Sequence, residues 1–255
     1  MSRPGGPGAG VRFEWGQPGA QATGGPDLAL VIVDVLSFST AVTIAAGHGA
    51  AIYPHPWPAP DIRAFAGARD AALAVPRHQA RPDQPWSLSP ASLLSGPLPA
   101  RLVLPSPNGS AIAAAAASRH VLAGCLRNAT AVARWLEHHG YGTASRPAVI
   151  IAAGERWPGG GLRPALEDLL GAGAIIAALS PDRTRTAEAA AAEVLWRACC
   201  EHAGEFLAGC TSGQELTAAG YAGDVTLAAE HDIQDVVPVL TGSAFVNHVP
   251  PRGQR

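Results

Sequence analysis

Short apolar runs alternate with Ala-rich stretches of helical period along most of the chain. The runs at 28–33, 51–53, 102–104, 121–123 and 148–153 have the length of strands, and LALVIV at 28–33 is apolar on both faces. Helical patterns cover 39–46, 61–74, 107–118, 129–139, 164–179 and 186–202, with a further helix over 212–219. Strands alternating with helices predict an α/β fold, a layered α/β/α arrangement around a mostly parallel sheet, with a division into two α/β lobes left open. The right-handed crossover rule then puts successive strand ends on one edge.

Residues 75–101 break the pattern. They are rich in Pro, Arg and Ser without a clear period, and a connection of that length inside a domain is functional or mobile. Residues 1–25 are expected to be disordered, 26–245 to form the α/β domain, and 246–255 to be a flexible tail. The segment 186–202 is expected to be a surface helix that could close a second lobe.

The 255 residues are 47% apolar, with a formal net charge of -2 and an isoelectric point near 6.5. That balance favours neither nucleic acid nor an anionic membrane surface as partner. All 18 basic residues are Arg. Lacking Lys, the chain cannot use Schiff-base chemistry or a Walker-type phosphate loop. The four cysteines form no C-x-x-C pair, which speaks against a zinc site or disulfide framework. The N-terminus has no apolar signal core and no run reaches membrane-spanning length, so a reduced, cytoplasmic protein is expected.

Four stretches carry candidate chemistry. In VIVDVLSFST, Asp34 follows a buried strand, with Ser39 and Thr40 just behind it. The carboxyl end of a parallel strand is where open α/β sheets hold ligands, yet Asp at such a position also caps helices. In LVLPSPNGSAIAAAAAS, Ser106 reads as an N-cap and Pro107 as the first helical residue, and Asn108, Gly109 and Ser110 occupy the first turn. Free amides, a helix dipole, hydroxyls and a glycine there would suit a phosphate or sulfonate, although a well-capped Ala-rich helix looks the same. Asn128 stands at a third strand-to-helix position, as cap or ligand contact. In VIIAAGERWPGGGLRPALEDLL, Glu155 follows a buried strand, and Glu167 and Asp168 open a helix. Clustered carboxylates without His or Cys suit a hard divalent ion such as magnesium.

Taken together, VIVDVLSFST, LPSPNGSA, LRNATAVA, AAGE and LEDLLGAGAII, in this order, make the chain resemble the 2-phosphosulfolactate phosphatase family. WSLSP at 86–90, GDVTLAAEHD and VVP are weaker echoes, and the likeness spans about residues 28–239. The resemblance implies a magnesium-dependent phosphatase of coenzyme M biosynthesis, converting 2-phosphosulfolactate or a related small acidic monoester to sulfolactate and phosphate. It implies Asp34, Glu155 and Asp168 as catalytic groups, and Asp34, Glu155, Glu167 and Asp168 as metal ligands. Ser39, Thr40, Ser106, Asn108, Gly109, Ser110 and Asn128 would bind substrate. The expected partner is a small anionic phosphate substrate, and a homodimer is left open.

The chain departs from the family pattern at Ser37, where the family usually carries Arg, a natural bidentate partner of phosphate. Arg77 and Arg81 are candidates to stand in. A haloacid-dehalogenase-type phosphatase with Asp34 as nucleophile is disfavoured, because position 36 is Leu and no Lys follows. The alternative from another class is a catalytically altered member that binds a small anion as a sensor or subunit.

Overall fold

The computed structural model describes residues 8–248. The first half of the chain runs β1 (Val11–Trp15), α1 (Gly16–Thr23), β2 (Ala29–Val33), α2 (Phe38–Gly47), β3 (Ala51–Pro56), α3 (Ile62–Gly67), β4 (Ala72–Leu73), α4 (Pro90–Leu94), β5 (Arg101–Ser106) and α5 (Gly109–Ala115). It continues through β6 (His120–Gly124), α6 (Ala129–His138), β7 (Ala148–Ala152), the short β8 (Glu155–Arg156) and β9 (Leu162–Arg163), and α7 (Leu166–Ala178). Four further helices follow, α8 (Ala187–Cys199), α9 (Ala203–Gly209), α10 (Thr211–Ala218) and α11 (Ala222–Ala229). A hairpin of β10 (Pro238–Thr241) and β11 (Ala244–Asn247) ends the described chain.

One nine-stranded sheet, in the order β1-β7-β2-β6-β10-β11-β3-β5-β4, runs through the fold. It is mostly parallel, with helices on both faces. The residues of β2 show why the layers form: Ala29, Val31 and Val33 enter one core with α6, α7 and α8, while Leu30 and Ile32 enter the other with α2 and α5. Strand β7 divides in the same way, with Ala148, Ile150 and Ala152 on the first face and Val149 and Ile151 on the second. Each fully buried aliphatic side chain contributes about 1.5–3 kcal/mol, so the doubly apolar runs take interior places in the sheet, covered on both faces. The sheet is continuous, and the open question of two lobes resolves into two cores on its two faces. Helix α8 belongs to the first of these and packs against α7.

Several expectations are corrected. The first 25 residues are not uniformly without structure: Val11–Trp15 pairs in parallel with Ala148–Ala152, and α1 follows directly. The alternating VRFEW pattern is the signal for this edge strand, and its Gly-rich flanks obscure it. Residues 1–7 and the tail from 249 lie outside the described residues, and Val246 and Asn247 belong to β11 rather than to the tail. The helix expected over 61–74 stops at Gly67, because Asp70 turns the chain at φ +48° into β4. Strand ends do not all share one sense: β10 and β11 pair antiparallel with β6 and β3, so the set β3-β5-β4 is separated by a hairpin from the parallel set β1-β7-β2-β6. Among the described residues no helix is long and apolar enough to cross a membrane, and all four cysteines are free.

Candidate functional site

Asp34 stands in the turn between β2 and α2. Its Oδ1 accepts the Phe38 amide at 3.1 Å, and its Oδ2 accepts the Gly109 amide at 2.9 Å. The carboxylate therefore caps α2 and also ties the start of α5 to the end of β2. Behind it, Ser39 Oγ donates to the Ile32 carbonyl at 2.8 Å and accepts the Asp34 amide at 3.1 Å. Thr40 Oγ1 donates to the Val35 carbonyl at 2.8 Å. Both hydroxyls are fully buried and hold the turn through backbone partners.

The expected anion cradle at residues 106–110 is filled from within. Helix α5 begins at Gly109, and the Gly109 amide is already taken by Asp34. A Cβ at Gly109 would lie 2.2 Å from Phe38 Cδ1, so glycine serves the close crossing of α2 and α5 rather than ligand approach. Ser110 Oγ donates to the Leu104 carbonyl at 3.0 Å and is fully buried. Asn108 is different: its Nδ2 donates to Glu155 Oε2 at 2.9 Å, and Arg156 Nε donates to its Oδ1 at 3.4 Å. Ser106 Oγ accepts the Asn108 amide at 3.3 Å and supports this arrangement.

Asp168 joins two strand ends. Its Oδ1 accepts the Val35 amide at 2.7 Å and its Oδ2 the Gly154 amide at 2.8 Å, so it fixes the exits of β2 and β7 against each other. Gly154, at φ +66°, makes the turn that sends Glu155 into the β8–β9 hairpin. Glu167 is buried beside it, and the Cys210 thiol, pushed up to about 12 chiefly by burial and then by Glu167, faces the same carboxylate.

Burial and neighbouring carboxylates raise the pKa of Asp34, Asp168 and Glu155. Burial is the first cause of the rise at Asp34, opposed by the two amide bonds and by Arg77, and reinforced by Glu167. Asp168 lies well above the ordinary range through burial, then Glu167 and Asp34. Glu155 rises to about 7 through burial and then Asp34, with Asn108 and Arg163 opposing.

A cleft of about 310 Å³ opens beside Asp34, Ser37, Ser106, Asn108 and Glu155, with Ser212 and Glu215 of α10 opposite. Arg77 enters it from the 75–101 connection. Its Nη2 donates to Ser37 Oγ at 2.6 Å, and its Nε donates to Asp224 Oδ2 at 3.3 Å. Asp224, buried at the start of α11, also accepts Ser89 Oγ at 2.6 Å and the Ala91 amide at 3.1 Å, which fastens that connection to the C-terminal helices. Arg77 is thus the cation at the Ser37 position; Arg81 is exposed in a turn closed by Gln84. Asp224 is the group sequence reasoning missed. The GDVT segment held the signal for Asp224, but no local pattern links it to residue 77.

Asn128 is not brought to the cleft. It is fully buried, its Oδ1 accepts the Cys125 amide at 2.9 Å, and its Nδ2 donates to the carbonyls of Ala123 at 3.3 Å and Val236 at 3.0 Å. The LRNAT stretch is a docking seam for the chain after α11: Arg127 pairs with Glu230 and donates to Gln234 at 2.8 Å, and Thr130 bonds Asp232.

Asp34 and Glu155 are the candidate metal carboxylates that line the cleft; each oxygen of Asp34 also accepts a backbone amide, as each oxygen of Asp168 does, but Asp168 lies behind the cleft wall. Among the described residues no group of three or more His, Cys, Asp or Glu side chains is arranged to hold a metal ion. Magnesium is commonly held by one or two carboxylates with water and substrate oxygens completing the shell. Two hard oxygen donors on an open cleft fit that ion.

No curated protein shows a significant match to the chain. A family model described as 2-phosphosulpholactate phosphatase matches residues 19–243, from within α1 to the turn between β10 and β11, and so takes in every element that builds the cleft. The chain belongs to the 2-phosphosulpholactate phosphatase family.

Proposed function

We propose that the protein hydrolyses a small phosphate monoester with the help of magnesium. The observation that carries this reading is the placement of Arg77, bonded to Ser37, in the same cleft as the carboxylates of Asp34 and Glu155. Arg77 has Nη1 left without a hydrogen bond among the described residues, and a guanidinium held at its other nitrogens is suited to orient a phosphoryl group. Asn108 holds one oxygen of Glu155 and so aims the other. Asp34 and Glu155 would hold the ion, and Asp168 keeps Asp34 in place by fixing the following amide. When bound, the ion neutralises phosphoryl charge and lowers the pKa of a coordinated water. The free thiols favour a reducing compartment, the cytoplasm.

Phosphate release from three-carbon phosphomonoesters, with magnesium and after chelation, tests the reading. Release that needs magnesium supports it, and no release from any ester by folded, magnesium-loaded protein defeats it. The saturated hydrogen bonds of Asp34 and the absence of Arg at position 37 favour a second reading, a member that binds a small anion without turnover. Its signature is anion binding by calorimetry with no phosphate released.

A further inference from the structure

A second concavity, of about 260 Å³, adjoins the cleft and shares Arg77, Leu88 and Pro107 with it. Its remaining wall is Trp57, Val75, Pro76 and Pro105, with His78 exposed at the rim. The Arg77 guanidinium therefore stands on the boundary between a polar cleft and an apolar chamber. Trp57 is 42% exposed, so a large aromatic surface faces the opening with little to cover it.

The charges of the cleft point the same way. Asp34, Glu155 and Glu215 line it, and Arg77 is the one Arg among its lining residues. That guanidinium is already paired with Asp224, and Arg163 beside Glu155 is bonded to Glu215 at 3.0 Å. Arg156 stands outside the lining and is engaged with Asn108 and the Pro107 carbonyl, so one guanidinium with a buried counter-ion is left to orient a phosphoryl group, and it cannot also match a second and a third anionic group on the same small molecule.

We propose that the preferred substrate is a phosphate monoester whose alcohol carries an uncharged apolar group of about phenyl size, lodged between Trp57, Val75 and Leu88 while the phosphoryl group lies in the cleft. This rests on the phosphatase reading for the reaction, although the chamber binds independently of turnover. In hydrolysis the bond from phosphorus to the ester oxygen breaks. Water supplies the new oxygen to phosphorus and a proton to the departing alcohol.

Calorimetry on the full chain with magnesium, comparing benzylphosphonate with methylphosphonate, tests the chamber without requiring turnover. Benzylphosphonate should bind about tenfold tighter or more, the factor that about 1.4 kcal/mol represents. Val75→Trp, which fills the chamber, should bring that ratio close to one, and Trp57→Ala, on an exposed segment, should lower it. Equal affinities in the wild type, binding of neither phosphonate, or a ratio unchanged in both folded variants would overturn the proposal. Phosphate release from phenyl phosphate and phospholactate separates the two ideas. Preference for benzylphosphonate without any hydrolysis sinks the phosphatase reading alone. Hydrolysis of phospholactate with no phosphonate preference sinks the chamber alone.

Discussion

Arg77 donates from Nη2 to Ser37 Oγ at 2.6 Å, so a guanidinium from a long connection reaches the β2–α2 turn beside Asp34. Asp224 and the Leu88 carbonyl hold it there.

Arg77→Gln should raise KM for phosphomonoesters by about ten- to a hundredfold, the range for a hydrogen bond to a charged group at about 1.5–3 kcal/mol. Arg77→Lys should recover part of the loss, because charge is kept while the planar fork is not. Steady-state phosphate release checks this, with thermal unfolding run alongside, because Asp224 loses its counter-ion in Arg77→Gln. An unchanged KM in both folded variants removes Arg77 from substrate binding.

Glu155 makes the metal-free protein sensitive to pH. Its folded pKa of about 7 lies above the ordinary 4.5, so its contribution favours the fold when protonated and is lost as pH rises from about 4.5 through about 7. Chelated protein should lose thermal stability across that window, and Glu155→Gln should flatten the loss. Proton and metal compete for the same carboxylate, so magnesium should bind more tightly as pH rises through about 7. Thermal shifts with and without magnesium, between pH 5 and pH 8, measure both effects.

Asp168→Asn should behave as a structural lesion. An amide has one acceptor oxygen where the carboxylate has two, so the Val35 or Gly154 amide is left facing a donor, at a cost of about 1–3 kcal/mol. The melting temperature should fall, while magnesium should still raise what remains of it. In Asp34→Asn and Glu155→Gln the magnesium-dependent rise should shrink. Loss of the magnesium response in Asp168→Asn with retention in the other two reverses the assignment.

Gly109→Ala should destabilise the protein by about 1–3 kcal/mol through overpacking, since the new methyl meets the Phe38 ring and Asp34 Oδ2. Adding Phe38→Leu should restore part of the stability by clearing the ring. Chemical denaturation of the single and double variants reads the coupling, and additive losses would show that the α2–α5 crossing is not tight.

The sequence by itself determined the layers and most of the strands. Doubly apolar runs such as LVIV at 30–33 and AVII at 148–151 have no stable place except the middle of a covered sheet, and that is a local property of the side chains. It also marked Asp34 and Glu155 as carboxylates at strand ends, and Asn108, Glu167 and Asp168 as polar groups at helix starts. Tertiary structure decided their work. Asp34 and Asp168 are both Asp residues near helix starts and each accepts two backbone amides, yet only Asp34 also lines the cleft, while Asp168 ties Val35 and Gly154, 133 and 14 positions away in the chain. Ser39, Thr40, Ser110 and Asn128 have the chemistry of ligand groups but spend it on backbone partners. Which partner a hydroxyl or amide meets depends on how β2, β5 and β7 are placed beside one another. The meeting of Arg77 with Ser37 and Asp224, across separations of 40 and 147 residues, likewise exists only once the sheet and the C-terminal helices have packed.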